Sequence, residues 1–141
     1  MRLLDAADRP SGALRDRLID KGYDDETVAA VVDRLIEVGL VDDESYAQSA
    51  VRYCVGRLMG YRGAVMELAR KGVDRPLAER VCDEARMSGV FEDAAWELGR
   101  RSAAKTQGMD PKVRKRRFWS SGGRKGHDAE TLHAIAHELF D

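Results

Sequence analysis

The feature that most constrains this chain is that it repeats itself. Leu18-x-x-Lys21-Gly22-Tyr23-Asp24 returns 50 residues later as Leu68-x-x-Lys71-Gly72-Val73-Asp74. Along the same ungapped shift, Val31 falls on Val81, Asp33 on Asp83, Gly39 on Gly89, Asp43 on Asp93 and Tyr46 on Trp96. Leu18 to Tyr46 then holds eight identities in 29 positions, where average composition gives about two. A third copy stands 104 residues from the first, as Lys125-Gly126-His127-Asp128 followed by the apolar stripe Leu132, Ile135, Ala136, Leu139 and Phe140. Such a chain stacks similar units that share cores with their neighbours.

The period inside each unit is helical. Val28, Val31, Val32, Leu35 and Ile36 fall at i, i+3, i+4, i+7 and i+8, one apolar face of a helix. Asp24 or Asp25 suits its N-cap and Gly39 its left-handed end. The next helix opens on Asp42-Asp43-Glu44 with a stripe of Tyr46, Ala50, Cys54 and Val55. Ser11 is expected to cap a helix carrying Leu14 and Leu18 that stops at Gly22. No stretch alternates as a half-buried strand does. The expected fold is therefore all-α, an elongated tandem array of three-helix repeats of about 50 residues each. The units divide as 1–41, 42–91 and 92–141. Lead helices start near Asp43 and Asp93, and the middle helix of unit three starts at Asp110-Pro111. Unit one is incomplete, with only Leu3, Leu4 and Ala7 where its lead helix belongs. Gly122-Gly123 reads as a breaker between helices.

Composition narrows the class. The chain has 141 residues, 43% of them apolar and 35% charged, too apolar for disorder. The longest apolar run, Val28 to Val32, is far below a membrane span. Two cysteines 28 positions apart form no disulfide framework, which points to the cytoplasm. Units with one shared core each need no second copy, which fits a monomer, while the incomplete first unit leaves a place for one; no cofactor is expected.

The net charge of −1 conceals a dipole. Residues 1–46 carry 6 basic and 12 acidic side chains, and residues 47–98 carry 8 of each. Residues 99–126 carry 10 basic side chains against the single Asp110, and residues 127–141 return to −4. Ten cations crowded beside one anion repel each other, so this segment calls for a polyanionic partner. Lys112, Arg114, Lys115, Arg116, Arg117, Arg124 and Lys125 are its candidate contacts. Arg52, Arg57 and Arg62, bordering the joint between units one and two, are candidates beside them.

No catalytic constellation is present. His133 and His137 stand at i, i+4, but a zincin needs Glu where Ala134 stands, and only His127 offers a third ligand. Surface histidines are the simpler reading. Cys54 and Cys82 lie on apolar stripes as small hydrophobes. Gly56, Gly60 and Gly63 follow no strand and precede no GK[ST], so they form no phosphate loop. Trp96 reads as core. Trp119, within the basic segment, fits packing or stacking on a base equally well.

Several blocks in this order carry a family resemblance. Leu14-Arg15-x-x-Leu18 precedes Lys21-Gly22-Tyr23, and Val38-Gly39-Leu40-Val41-Asp42-Asp43-Glu44-Ser45-Tyr46-Ala47 follows. Gly60-Tyr61-Arg62 then leads to Glu67-Leu68-x-x-Lys71-Gly72-Val73-Asp74, and the basic run ends on Lys125-Gly126-His127-Asp128. From Ser11 onward the chain resembles the RecX family of recombinase regulators. The resemblance implies a non-enzymatic modulator in the groove of the RecA–single-stranded DNA filament, limiting ATP hydrolysis, strand exchange and repressor cleavage. It departs from the family at Phe118-Trp119-Ser120-Ser121-Gly122-Gly123, where an aliphatic, arginine-rich helix is usual, so a loose third unit is expected.

The alternative is a stand-alone module touching single- or double-stranded DNA through the basic segment. Recognition helices present base-reading side chains at their N-termini. Here the corresponding helices begin Asp25-Glu26-Thr27, Arg75-Pro76-Leu77 and Ala129-Glu130-Thr131, and the two acidic starts repel phosphate.

Overall fold

Eight helices and no strand make up residues 9–141, the part of the chain that the computed structural model describes. The expected truncation of the lead helix of unit one lies outside the described residues. Unit one contributes α1 (Ser11–Asp20) and α2 (Asp25–Glu37). Unit two is α3 (Asp43–Gly56), α4 (Tyr61–Arg70) and α5 (Arg75–Met87). Unit three is α6 (Val90–Lys105), α7 (Pro111–Arg124) and α8 (Ala129–Phe140). Among the described residues no helix is long and apolar enough to cross a membrane.

The repeated Lys-Gly-x-Asp is a helix stop joined to a helix start. Lys21, Lys71 and Lys125 end the middle helices, and the following glycines take φ of +98°, +103° and +86°. That left-handed turn strongly favours glycine. Two residues on, the carboxylates of Asp24, Asp74 and Asp128 accept from the backbone N–H of Thr27, Leu77 and Thr131 at 2.7, 2.9 and 2.7 Å. Each satisfies a donor that the first helical turn would leave orphaned.

Each unit has a core, and units two and three share theirs in part, since Phe91 of α6 is buried in that of unit two and Leu58 packs on that of unit three. Unit one packs Leu14, Val28, Val32, Leu35 and Val41. Unit two packs its three helices around Val51, Cys54, Leu68, Val81 and Cys82. Unit three closes over Phe118, Leu132, Ile135 and Phe140, with the two phenylalanine rings 5.7 Å apart. Val31 of the α2 stripe is exposed, whereas its repeat equivalents Val81 and Ile135 are buried.

Three local expectations change. Ser11 is no N-cap: Pro10 occupies that position, and Ser11 bonds instead to Asp43 of unit two. α6 starts at Val90, ahead of Asp93, because Gly89 at φ +86° turns the chain straight out of α5. Gly122-Gly123 does not break α7, which runs on to Arg124. Gly122 is there for contact: a Cβ on it would stand 2.3 Å from Leu132 Cδ2. The helix accepts glycine's cost of roughly 1 kcal/mol because α8 needs that space.

The units meet through one repeated device. A glycine in the first turn of a middle helix lies against the Lys-Gly turn of the next unit. A Cβ on Gly12 would stand 2.3 Å from the carbonyl oxygen of Gly72, and one on Gly63 would stand 2.3 Å from that of Lys125. Backbone touches backbone at both joints, leaving no room for a side chain.

Candidate polyanion-binding cleft between units two and three

The second joint is held by bonds in both directions. Gly60 N–H donates to the carbonyl of Lys125 at 2.8 Å, and Lys125 Nζ donates to the carbonyl of Arg57 at 2.8 Å. Leu58 holds a left-handed φ of +63°, uncommon for a branched side chain. Its side chain packs on the core of unit three, and its carbonyl lies 2.8 Å from His127 Nε2. His127 therefore departs from the expected surface histidine. It is only 4% exposed, and burial pushes its pKa below the ordinary value despite the opposing bond to Leu58. His133 and His137 are exposed on α8, away from this joint.

Two adjoining hollows open at the joint. One, of about 640 Å³, is lined by Tyr53, Arg57, Glu67, Arg70, Lys71, Arg124 and Lys125. The other, of about 410 Å³, is lined by Arg57, Arg101, Lys105, Arg117 and Lys125. Arg57, Ser121 and Lys125 border both, so they form one cleft. Eight cations face a single carboxylate, Glu67. Arg70 grips that carboxylate at 2.5 and 3.2 Å and holds its pKa below the usual range. At the mouth, Arg57 Nη1 donates to Tyr53 Oη at 3.2 Å. The Arg57 guanidinium and Lys71 Nζ lie 5.7 and 5.1 Å from the centre of the Tyr53 ring. Clustered charge of one sign in a concave surface focuses its field on an incoming anion.

The fold brings together four of the ten candidate contacts, Arg57, Arg117, Arg124 and Lys125. Arg114 turns inward, donating to Thr106 Oγ1 and the Ala103 carbonyl at 3.0 Å each, over the Phe140 ring. Lys115 pairs with Asp141. Lys112 and Arg116 are exposed on α7 but line neither hollow. Arg62 reaches the His127 carbonyl at 3.4 Å. Arg52 borders a separate apolar groove with Val51, Val55 and Glu84. Trp119 is half-buried against the core of unit three. Sequence reasoning missed Arg70, Lys71 and Tyr53 because they lie outside the basic run, and it passed over Arg101 and Lys105 within that run.

A family model described as RecX, first three-helix domain, matches residues 1–35. The regulatory protein RecX of Thermobifida fusca is 36% identical over 144 residues, spanning all of this chain and 76% of that protein. The chain belongs to the RecX family. The regulatory protein RecX of Mycobacterium sp. (strain JLS) is 48% identical over 77 residues, covering 52% of this chain and 41% of its own. The crystal structure of RecX from Lactobacillus salivarius superposes with a TM-score of 0.80 at 20% identity, covering 93% of this chain and 85% of that one. That likeness shows the three-helix repeat fold.

Proposed function

We propose that this RecX-family protein is a non-enzymatic regulator of the RecA recombinase. In this reading it binds the RecA–single-stranded DNA filament in the cytoplasm as a monomer. It mostly inhibits the filament's ATPase, strand-exchange and coprotease activities in recombination, DNA repair and the SOS response. The observation that carries the reading is the match to a RecX protein along the whole chain. The joint-spanning cleft supplies a contact suited to a filament that alternates protein lobes with exposed phosphates. Arg57, Arg117, Arg124 and Lys125 supply half of its eight cations, and complementary charge sets on-rate and register. The acidic first turns of α2 and α8 disfavour a stand-alone duplex reader, because phosphate would meet Asp25, Glu26 and Glu130.

The test is the ATPase rate of purified RecA on single-stranded DNA with this protein titrated in. The expected result is a fall in rate well below one molecule per recombinase protomer, weakened by Arg117→Glu with Arg124→Glu. An unchanged rate, with the filament present throughout, would sink the proposal.

A further inference from the structure

Tyr53 is out of place for a repeat protein's aromatic residue. Tyr46, Trp96 and Trp119 pack against the cores of their units, but Tyr53 leaves 54% of its surface in solvent, as does Tyr23, which lines neither hollow. Its repeat equivalent one unit on is Ala103, so the fold does not require a ring at this position. The ring stands at the mouth of the cationic cleft, with Arg57 and Lys71 near it and Arg124 and Lys125 beyond. An exposed ring beside a line of cations is the arrangement that takes a base on its face and the adjoining phosphates on the charges.

We infer that the cleft binds single-stranded DNA directly, with Tyr53 stacking on an unpaired base and Arg57, Lys71, Arg117, Arg124 and Lys125 holding consecutive phosphates. A duplex keeps its bases stacked on each other and offers Tyr53 nothing to cover. A single strand can splay a base outward while its backbone follows the cleft. The inference rests on the filament reading for the choice of DNA, but its test needs no recombinase.

The experiment is fluorescence anisotropy of a labelled oligothymidylate titrated with the intact protein. Log affinity should fall with log salt at a slope of about −3.5, as five neutralised phosphates on a single strand require. Tyr53→Ala should weaken binding about ten-fold and Tyr53→Phe should restore it. Arg117→Glu with Arg124→Glu should abolish binding at physiological salt. Arg34→Glu with Arg75→Glu, the same double charge reversal on helices that do not line the cleft, should leave it within two-fold. Tyr53 is largely solvent-exposed, and unchanged helical circular dichroism will confirm that its variants fold. Absence of binding at low salt, a slope near zero, or tighter binding to a duplex or oligouridylate insensitive to Tyr53→Ala would each overturn the inference. A protein that ignores the oligonucleotide yet lowers recombinase ATPase would end this inference and leave the regulator reading intact.

Discussion

Asp43 completes a helix that is not its own. One oxygen of its carboxylate accepts from the backbone N–H of Ser11 at 2.7 Å, and the other accepts from Ser11 Oγ at 2.5 Å. The first turn of α1 thus has a donor satisfied from the start of α3, and the link ties unit one to unit two. Asp43→Ala should cost about 2 kcal/mol, since Ser11 is buried and loses a charged acceptor. Amide exchange is the measurement: protection should fall in α1 and stay unchanged in α7. Equal loss in both helices would make Asp43 a general stabiliser and not a link.

The glycine joints give opposite outcomes at neighbouring positions. Gly63→Ala would force a methyl group against the Lys125 carbonyl and should destabilise by about 3 kcal/mol through overpacking. Gly56, at the end of α3, has open space around it and no left-handed φ. Gly56→Ala should stabilise by up to about 1 kcal/mol, through helix propensity alone. Urea unfolding of the two variants decides it. If both moved the midpoint the same way, the backbone contact would not be what Gly63 provides.

These joints mark where the sequence stopped being legible. The Lys-Gly-x-Asp punctuation and the apolar stripes placed α1, α2, α3 and α8, because caps and periodicity are local, whereas α6 begins three residues ahead of its expected start. The purpose of Gly60, Gly63 and Gly122 was hidden, since each answers to a surface ten or more residues away in the chain. The basic segment was visible as composition, but its use was not. α7 spreads its cations around a full helix, so Arg114 faces the Phe140 ring while Arg117 and Arg124 face the cleft. Arg70 and Lys71 arrive from another unit. A linear run of charge shows the sign of a surface but not its membership.

Cys54 and Cys82 share the core of unit two, and both are fully buried. Burial pushes the Cys82 thiol up to about 12 and raises that of Cys54 in the same direction. Neither forms appreciable thiolate at neutral pH, and thiolate is the reactive species. An aromatic disulfide reagent at pH 8 should therefore release no chromophore from the folded protein and two equivalents in urea. Fast reaction of either thiol in the folded protein would mean that the core of unit two opens far below the global unfolding energy.

The His127–Leu58 bond makes the cleft's foundation pH-dependent. The imidazole is buried as the neutral form, with Nε2–H donating to the Leu58 carbonyl, and its pKa lies below the unfolded value near 6.5. The unfolded chain then binds a proton that the folded one resists. Stability contributed by this group is fully present above about pH 6.5 and is lost as pH falls through the folded pKa. His127→Gln keeps an amide donor within reach of Leu58 but does not titrate. Between pH 7 and pH 5, the native protein should lose more stability than His127→Gln does, and α4 and α8 should lose amide protection before α2. Parallel loss in the two proteins would assign the acid sensitivity to carboxylates such as Asp24 and Asp128, whose caps hold their pKa values down. The joint would then owe its hold to the Lys125 bonds and the glycine contacts.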